Sequence, residues 1–224
     1  MCGRFTLFAP YYEIIDRFDI ESAFAENDYI PSYNIAPSQQ VVAIINDGRK
    51  NRLGHLRWGL IPPWAKDEKI GYKMINARAE TVAEKPSFRK AFQKQRCIIP
   101  ADSFYEWKKE DGKKIPMRIK LKTDELFAIA GLWESWKSPE GKVIHTCTAI
   151  TTKPNDLMKP IHDRMPVILK REDEAAWLDP RKNDVDFLGN MLLPFDEGQM
   201  DAYSVSSAVN SPKNNEESLI VPIC

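Results

Sequence analysis

The chain has 224 residues, 43% hydrophobic and 29% charged, with a formal net charge of zero. That length suits one large domain or two small ones with a real core, and the composition is that of a soluble globular protein. No apolar run reaches the roughly 18–20 residues a membrane span needs, and the N-terminus lacks the basic and apolar regions of a secretory signal, so no membrane association and a cytoplasmic location are expected.

Four cysteines (Cys2, Cys97, Cys147, Cys224) have no paired spacing, and the histidines (His55, His145, His162) are scattered. Neither a disulfide framework nor a metal site is expected, and no cofactor. The charge is unevenly laid out. Residues 51–125 hold 18 Lys+Arg against 10 Asp+Glu, and residues 171–224 hold 4 against 11. A basic middle with an acidic end fits a face that meets a polyanion, and fits ordinary surface solvation equally well.

In chain order, Arg4-Phe5-Thr6-Leu7 reads as a short strand, and apolar residues at helical spacing predict a helix over 11–18. Residues 32–40, rich in turn formers, read as a loop. The β-branched run 41–45 predicts a buried strand, followed by an Asn46-Asp47-Gly48 turn and a strand over 53–60. Two tryptophans, a glycine and two prolines exclude a regular element over 58–64. In 75–81, Asn76, Arg78 and Glu80 share one face if the backbone is extended. A helix is predicted over 86–94, with Pro86 in its first turn. Strand-forming stretches follow at 96–107, 116–121, 127–133 and 143–151, separated by turns at 110–113 and 138–141. Residues 153–160 read as a short helix between prolines, and further helices are expected over 172–178 and 185–192. Many short strands with a few helices and no βαβ order imply an α+β fold. The expectation is a single domain over 1–224, with a mostly antiparallel β-sheet curled into a barrel-like core and the acidic part from about 171 completing it.

Two positions draw chemical attention by themselves. Cys2 follows the initiator methionine, whose removal would leave an α-amine and a thiol on adjacent carbons. Glu106 stands among Phe104, Tyr105 and Trp107, where desolvation would raise its pKa into an acid–base range; an exposed edge-strand glutamate is the plainer reading.

Seven stretches then appear in order: Met1-Cys2-Gly3-Arg4-Phe5, Tyr33-Asn34-Ile35-Ala36-Pro37, Trp58-Gly59-Leu60-Ile61-Pro62, Asn76-Ala77-Arg78-Ala79-Glu80-Thr81, Phe104-Tyr105-Glu106-Trp107, Ala130-Gly131-Leu132-Trp133 and His162-Asp163-Arg164-Met165-Pro166. Together they resemble the SRAP family, first described as SOS response-associated peptidases and now as abasic-site processing proteins. The likeness runs from Cys2 to about Pro166. It implies a protein that binds single-stranded DNA holding an abasic site and links to it covalently through Cys2, with Asn76, Glu106 and His162 as the other active positions. Arg4, Arg78 and Arg164 are expected at flanking phosphates, and Trp64 and Trp107 at bases. Asn34, Gln39, Arg89 and Thr151 are further DNA-contact candidates from the same pattern. The expected partner is abasic single-stranded DNA, engaged by a monomer that is nucleoid-associated when bound.

The chemistry fits the residues. An α-amine has a pKa of about 7.7–8, against about 10.4 for lysine, so far more of it is free to attack an aldehyde as a Schiff base-forming, lyase-like nucleophile. The adjacent thiol can then close a thiazolidine ring, which an internal cysteine cannot do. Two rivals stand beside this reading. One is a cysteine peptidase or autopeptidase with Cys2 as nucleophile and His162 as base. The other is a non-covalent single-stranded DNA-binding module.

Overall fold

Strand formation follows the β-branched and aromatic runs. The computed structural model describes residues 2–223. Met1 and Cys224 lie outside the described residues, and with them the expected processing of Met1. The strands are β1 (Phe5–Leu7), β2 (Ser32–Ile35), β3 (Gln40–Asn46), β4 (Asn51–Trp58), β5 (Asn76–Arg78), β6 (Arg96–Ala101), β7 (Ser103–Glu110), β8 (Lys113–Leu121), β9 (Phe127–Lys137), β10 (Val143–Thr152), β11 (Met165–Pro166) and β12 (Met200–Ser204). The helices are short: α1 (Tyr11–Arg17), α2 (Arg89–Lys94), α3 (Arg171–Leu178) and α4 (Val185–Gly189).

Five strands close on themselves. β6, β3 and β4 pair antiparallel, β9 joins β6 to β10 antiparallel, and β10 meets β4 in parallel, completing the ring. β5 and β11 pair with the C-terminal end of β10 on its two opposite edges, β5 beyond β4 and β11 beyond β9. A second, antiparallel sheet runs β12-β8-β7-β1-β2. The α+β fold with a barrel core is the one expected from sequence. The parallel seam was not legible there, because it closes between distant strands without a βαβ crossover.

The two sheets share one apolar core. Phe5 of β1 meets Trp58 of β4 edge-on with ring centroids 5.3 Å apart, and Phe104 of β7 meets Phe127 of β9 at 6.5 Å. Burying each such ring contributes on the order of 1.5–3 kcal/mol. Beneath the aromatic loop the backbone crosses itself. Gly59 has φ +131° and a Cβ there would stand 2.7 Å from the Gly71 carbonyl oxygen.

Several local expectations fail for identifiable reasons. Ser32–Ile35 is a strand paired with β1, not a loop. Asn34 spends its amide on the carbonyls of Ser211 and Asn214, so it does not compete for its own backbone. Residues 153–160 form turns rather than a helix. Asn155 caps them by accepting from the Met158 N–H at 3.0 Å, and Pro160 removes a donor that a helix would need. The helix expected over 185–192 stops at Gly189. β5 ends at Arg78, and the 3₁₀ turn Ala79–Thr81 turns Glu80 away from the face it was expected to share with Asn76 and Arg78. Among the described residues no helix is long and apolar enough to cross a membrane.

Candidate active site at the N-terminal cysteine

The site forms where the second sheet meets the C-terminal end of β10. β1 lies beside β7, and the Tyr105 N–H donates to the Arg4 carbonyl at 2.9 Å, carrying the pairing past the strand end. This leads Cys2 toward Glu106. From the barrel side, β5 pairs in parallel with β10, with Asn76 opposite Ala149. β11 pairs antiparallel with the end of β10 and brings the 161–164 turn alongside. Three separate pairings therefore converge on residues far apart in sequence.

Cys2 is 1% exposed. Asn76 donates through Nδ2 to the Cys2 carbonyl oxygen at 2.9 Å, so it grips the peptide that follows Cys2. Burial first, and then the charge of Glu106, push the Cys2 thiol well above its ordinary range. Glu106 is 2% exposed, and burial raises its carboxyl to about 7. The desolvation foreseen from sequence is present, but strand alternation assigns its source differently. Tyr105 belongs to a separate cluster with Val205, Val209 and Leu219, against which Trp107 packs, whereas Phe104 belongs to the main core.

His162 Nε2 stands 3.9 Å from Glu106 Oε2. Its Nδ1 accepts the Arg164 backbone N–H at 3.1 Å and lies 2.9 Å from Asp163 Oδ1. Burial lowers the His162 pKa below its ordinary value. A raised carboxyl beside a lowered imidazole brings both groups toward neutrality, where either can pass a proton.

The expected DNA contacts divide into three groups. Arg4 adjoins Cys2 but is tied down: Nη1 donates to Asn34 Oδ1 at 2.8 Å and to the Val209 carbonyl at 2.6 Å, and the guanidinium lies 5.8 Å from the Trp107 ring centre. Asn34 and Thr151 are buried, and act as struts for Arg4 and Arg164 respectively. Arg164 is committed to Glu80 through two bonds of 2.7 and 2.9 Å. Arg78, Arg89 and Trp64 are exposed, Trp64 by 57%. Gln39 is exposed but accepts the Ala36 N–H at 3.0 Å. Trp107 donates to Asn210 Oδ1 at 2.7 Å.

An open cleft leads to Glu106 and His162, lined also by Trp107, Lys109, Lys114 and Asn210. Lys109 and Lys114 lie directly opposite across the β7–β8 hairpin. Facing like charges destabilise a sheet by themselves and favour an anionic occupant. These two lysines went unnoticed in the sequence, although the pairs flanking the 110–113 turn were the available signal.

The chain matches the family model described as SOS response associated peptidase (SRAP) over residues 1–212. It belongs to the SRAP family. Among SRAP relatives, it is 66% identical over 221 residues to the abasic site processing protein YoqW of Bacillus subtilis, covering 98% of this chain and 99% of the other. It is 30% identical to the abasic site processing protein HMCES of Xenopus tropicalis, covering 84% of this chain and 64% of that one. A crystal structure of a Bacteroides thetaiotaomicron protein superposes with a TM-score of 0.90 at 30% identity, over 100% of both chains. The SRAP likeness thus reaches beyond Pro166, where the seven stretches end.

Proposed function

We propose that this protein senses abasic sites in single-stranded DNA and captures them covalently through the amine and thiol of Cys2 once Met1 is removed, shielding the lesion. The observation that carries the reading is the convergence of Asn76, Glu106 and His162 on a buried Cys2. The names of the relatives, abasic site processing proteins, point the same way.

In this reading the ring-opened deoxyribose presents an aldehyde to the Cys2 α-amine. Nitrogen bonds to C1′, and the carbinolamine loses water with a proton supplied by Glu106 or His162, leaving an imine. The Cys2 S–H then adds across the C=N bond. Sulfur bonds to carbon, its proton passes to nitrogen, and a thiazolidine results with net loss of one water. A thiol held protonated by burial suits this order, amine first and sulfur second. A peptidase needs a thiolate at the outset, so the same burial disfavours general proteolysis by Cys2. Arg78, Arg89, Lys109 and Lys114 offer phosphate contacts and Trp64 a stacking surface, neither of which reads base sequence.

The test is a denaturing gel of the protein, with Met1 shown to be absent, after incubation with a single-stranded oligonucleotide bearing one abasic site. A shifted band that survives boiling and is missing for Cys2→Ala supports the proposal. No such band with the wild-type chain overturns it.

A further inference from the structure

Arg164 stands within the motif that supplies His162, yet its guanidinium faces inward. Nη1 and Nη2 hold the two oxygens of Glu80 at 2.7 and 2.9 Å, and Nη2 also donates to the Thr151 carbonyl at 2.5 Å. The Arg164 side chain is 13% exposed. One planar fork therefore pins the 161–164 turn both to the 3₁₀ turn after β5 and to β10, a geometry that lysine cannot reproduce.

The main chain of the same residue does something different. The Arg164 N–H donates to His162 Nδ1 at 3.1 Å. A ring nitrogen that accepts an N–H carries no proton, so the neutral imidazole keeps its hydrogen on Nε2, the atom 3.9 Å from Glu106. A competitor stands close by. Asp163 Oδ1 lies 2.9 Å from Nδ1, where a carboxylate would draw the proton to that nitrogen instead. The Asp163 side chain is 86% exposed and unrestrained by packing. The Arg164 N–H is only as fixed as the turn that carries it, and Glu80 fixes that turn.

We infer that Glu80 is a positioning residue: by gripping Arg164 at two points it holds the Arg164 N–H on His162 Nδ1 and so sets the tautomer that presents Nε2–H to Glu106. Among the described residues, the charged groups facing the His162 ring include Glu106, Asp163 and Lys109. The consequence for rate rests on the function proposed above, whereas the tautomer assignment does not. Arg164 then serves the chemistry from inside the fold rather than at a DNA phosphate.

The experiment uses the full chain labelled with ¹⁵N-histidine, whose three histidines are distinguished by a His162→Gln control. Ring nitrogen shifts at a pH where His162 is neutral should report Nε2–H in the wild type, and a shift toward Nδ1–H in Glu80→Gln. Crosslinking at saturating abasic oligonucleotide should slow roughly tenfold, a part of the 10²–10⁴-fold that a positioned acid–base group contributes. Glu80→Asp should restore part of both. An unchanged His162 tautomer in Glu80→Gln overturns the inference. So does an affinity loss at unchanged saturated rate and tautomer, which would return Arg164 to phosphate binding. Should Glu80→Gln fail to fold, Arg164→Lys decides on the same spectrum: Nδ1–H supports the inference and wild-type shifts overturn it. If the wild-type protein forms no crosslink, the proposed function fails while the spectrum still decides the tautomer.

Discussion

Asn76 donates to the Cys2 carbonyl at 2.9 Å while its own Oδ1 is buried with no hydrogen-bond partner among the described residues. The grip is on the peptide and survives whatever happens to the sulfur. The open acceptor is complementary to an α-amine, which a processed Cys2 would carry. Asn76→Ala should therefore slow single-turnover crosslinking by roughly 10–100-fold, since small misplacements of a reacting group are that costly. Oligonucleotide affinity should stay within about twofold. A gel time course at saturating DNA, paired with a binding titration, checks both. An affinity loss alone would make Asn76 a DNA contact.

Glu106, raised by burial to about 7, should leave its mark on the pH profile. The crosslinking rate is expected to bend near pH 7 in the wild type, and Glu106→Gln should lose that bend and slow the reaction while binding DNA almost normally. Rates measured between about pH 5.5 and 8.5 decide it. A profile unchanged by the substitution would assign the bend to another group.

Asp102, 6% exposed at the β6–β7 corner, is raised by burial from 3.8 to about 6. A carboxyl raised on folding keeps its proton more firmly in the native chain. Its contribution is fully present below the unfolded value and is lost as pH rises through about 6, amounting to about 2–3 kcal/mol at most. Glu106 acts with the same sign, its contribution lost through about 7. These two carboxyls favour a higher melting temperature at pH 5 than at pH 8, at about 2–4 °C per kcal/mol, against the imidazoles of His55 and His162, whose lowering by burial acts with the opposite sign. Asp102→Asn should flatten this dependence. A pH dependence of the melting temperature that is the same in Asp102→Asn as in the wild type would contradict the assignment.

Gly59→Ala should destabilise the barrel by about 2 kcal/mol or more, because it strains a positive φ and places a methyl 2.7 Å from a backbone oxygen. Urea unfolding followed by tryptophan fluorescence reads the shift in midpoint. An unchanged midpoint would mean that the crossing with Gly71 can relax.

Much of this architecture was legible in the residues. The run at 41–45 became the buried barrel strand β3, and the stretches holding Cys2, Asn76, Glu106 and His162 proved neighbours in space. What sequence could not supply was the partner of each polar group. Asn34 reads as a turn former until the chain's last forty residues are in place to receive its amide. Arg164 reads as a free cation until the turn after β5 delivers Glu80. Tyr105 reads as a wall of the Glu106 pocket, because adjacency in sequence conceals that neighbouring strand positions face opposite ways. In each case the deciding contact is long-range, and no local pattern encodes it.

The seam where β10 meets β4 sets Thr146 against Arg57, a separation of about ninety residues, a non-local pairing that carries a large loop-closure cost. Asn76 and the turn that carries His162 are mounted at the C-terminal end of that same strand. During synthesis Cys2 emerges first and His162 among the last of its partners. On the function proposed above, the groups that assist Cys2 are assembled only once the ring has closed, so assisted capture of an abasic site would wait for the completed fold.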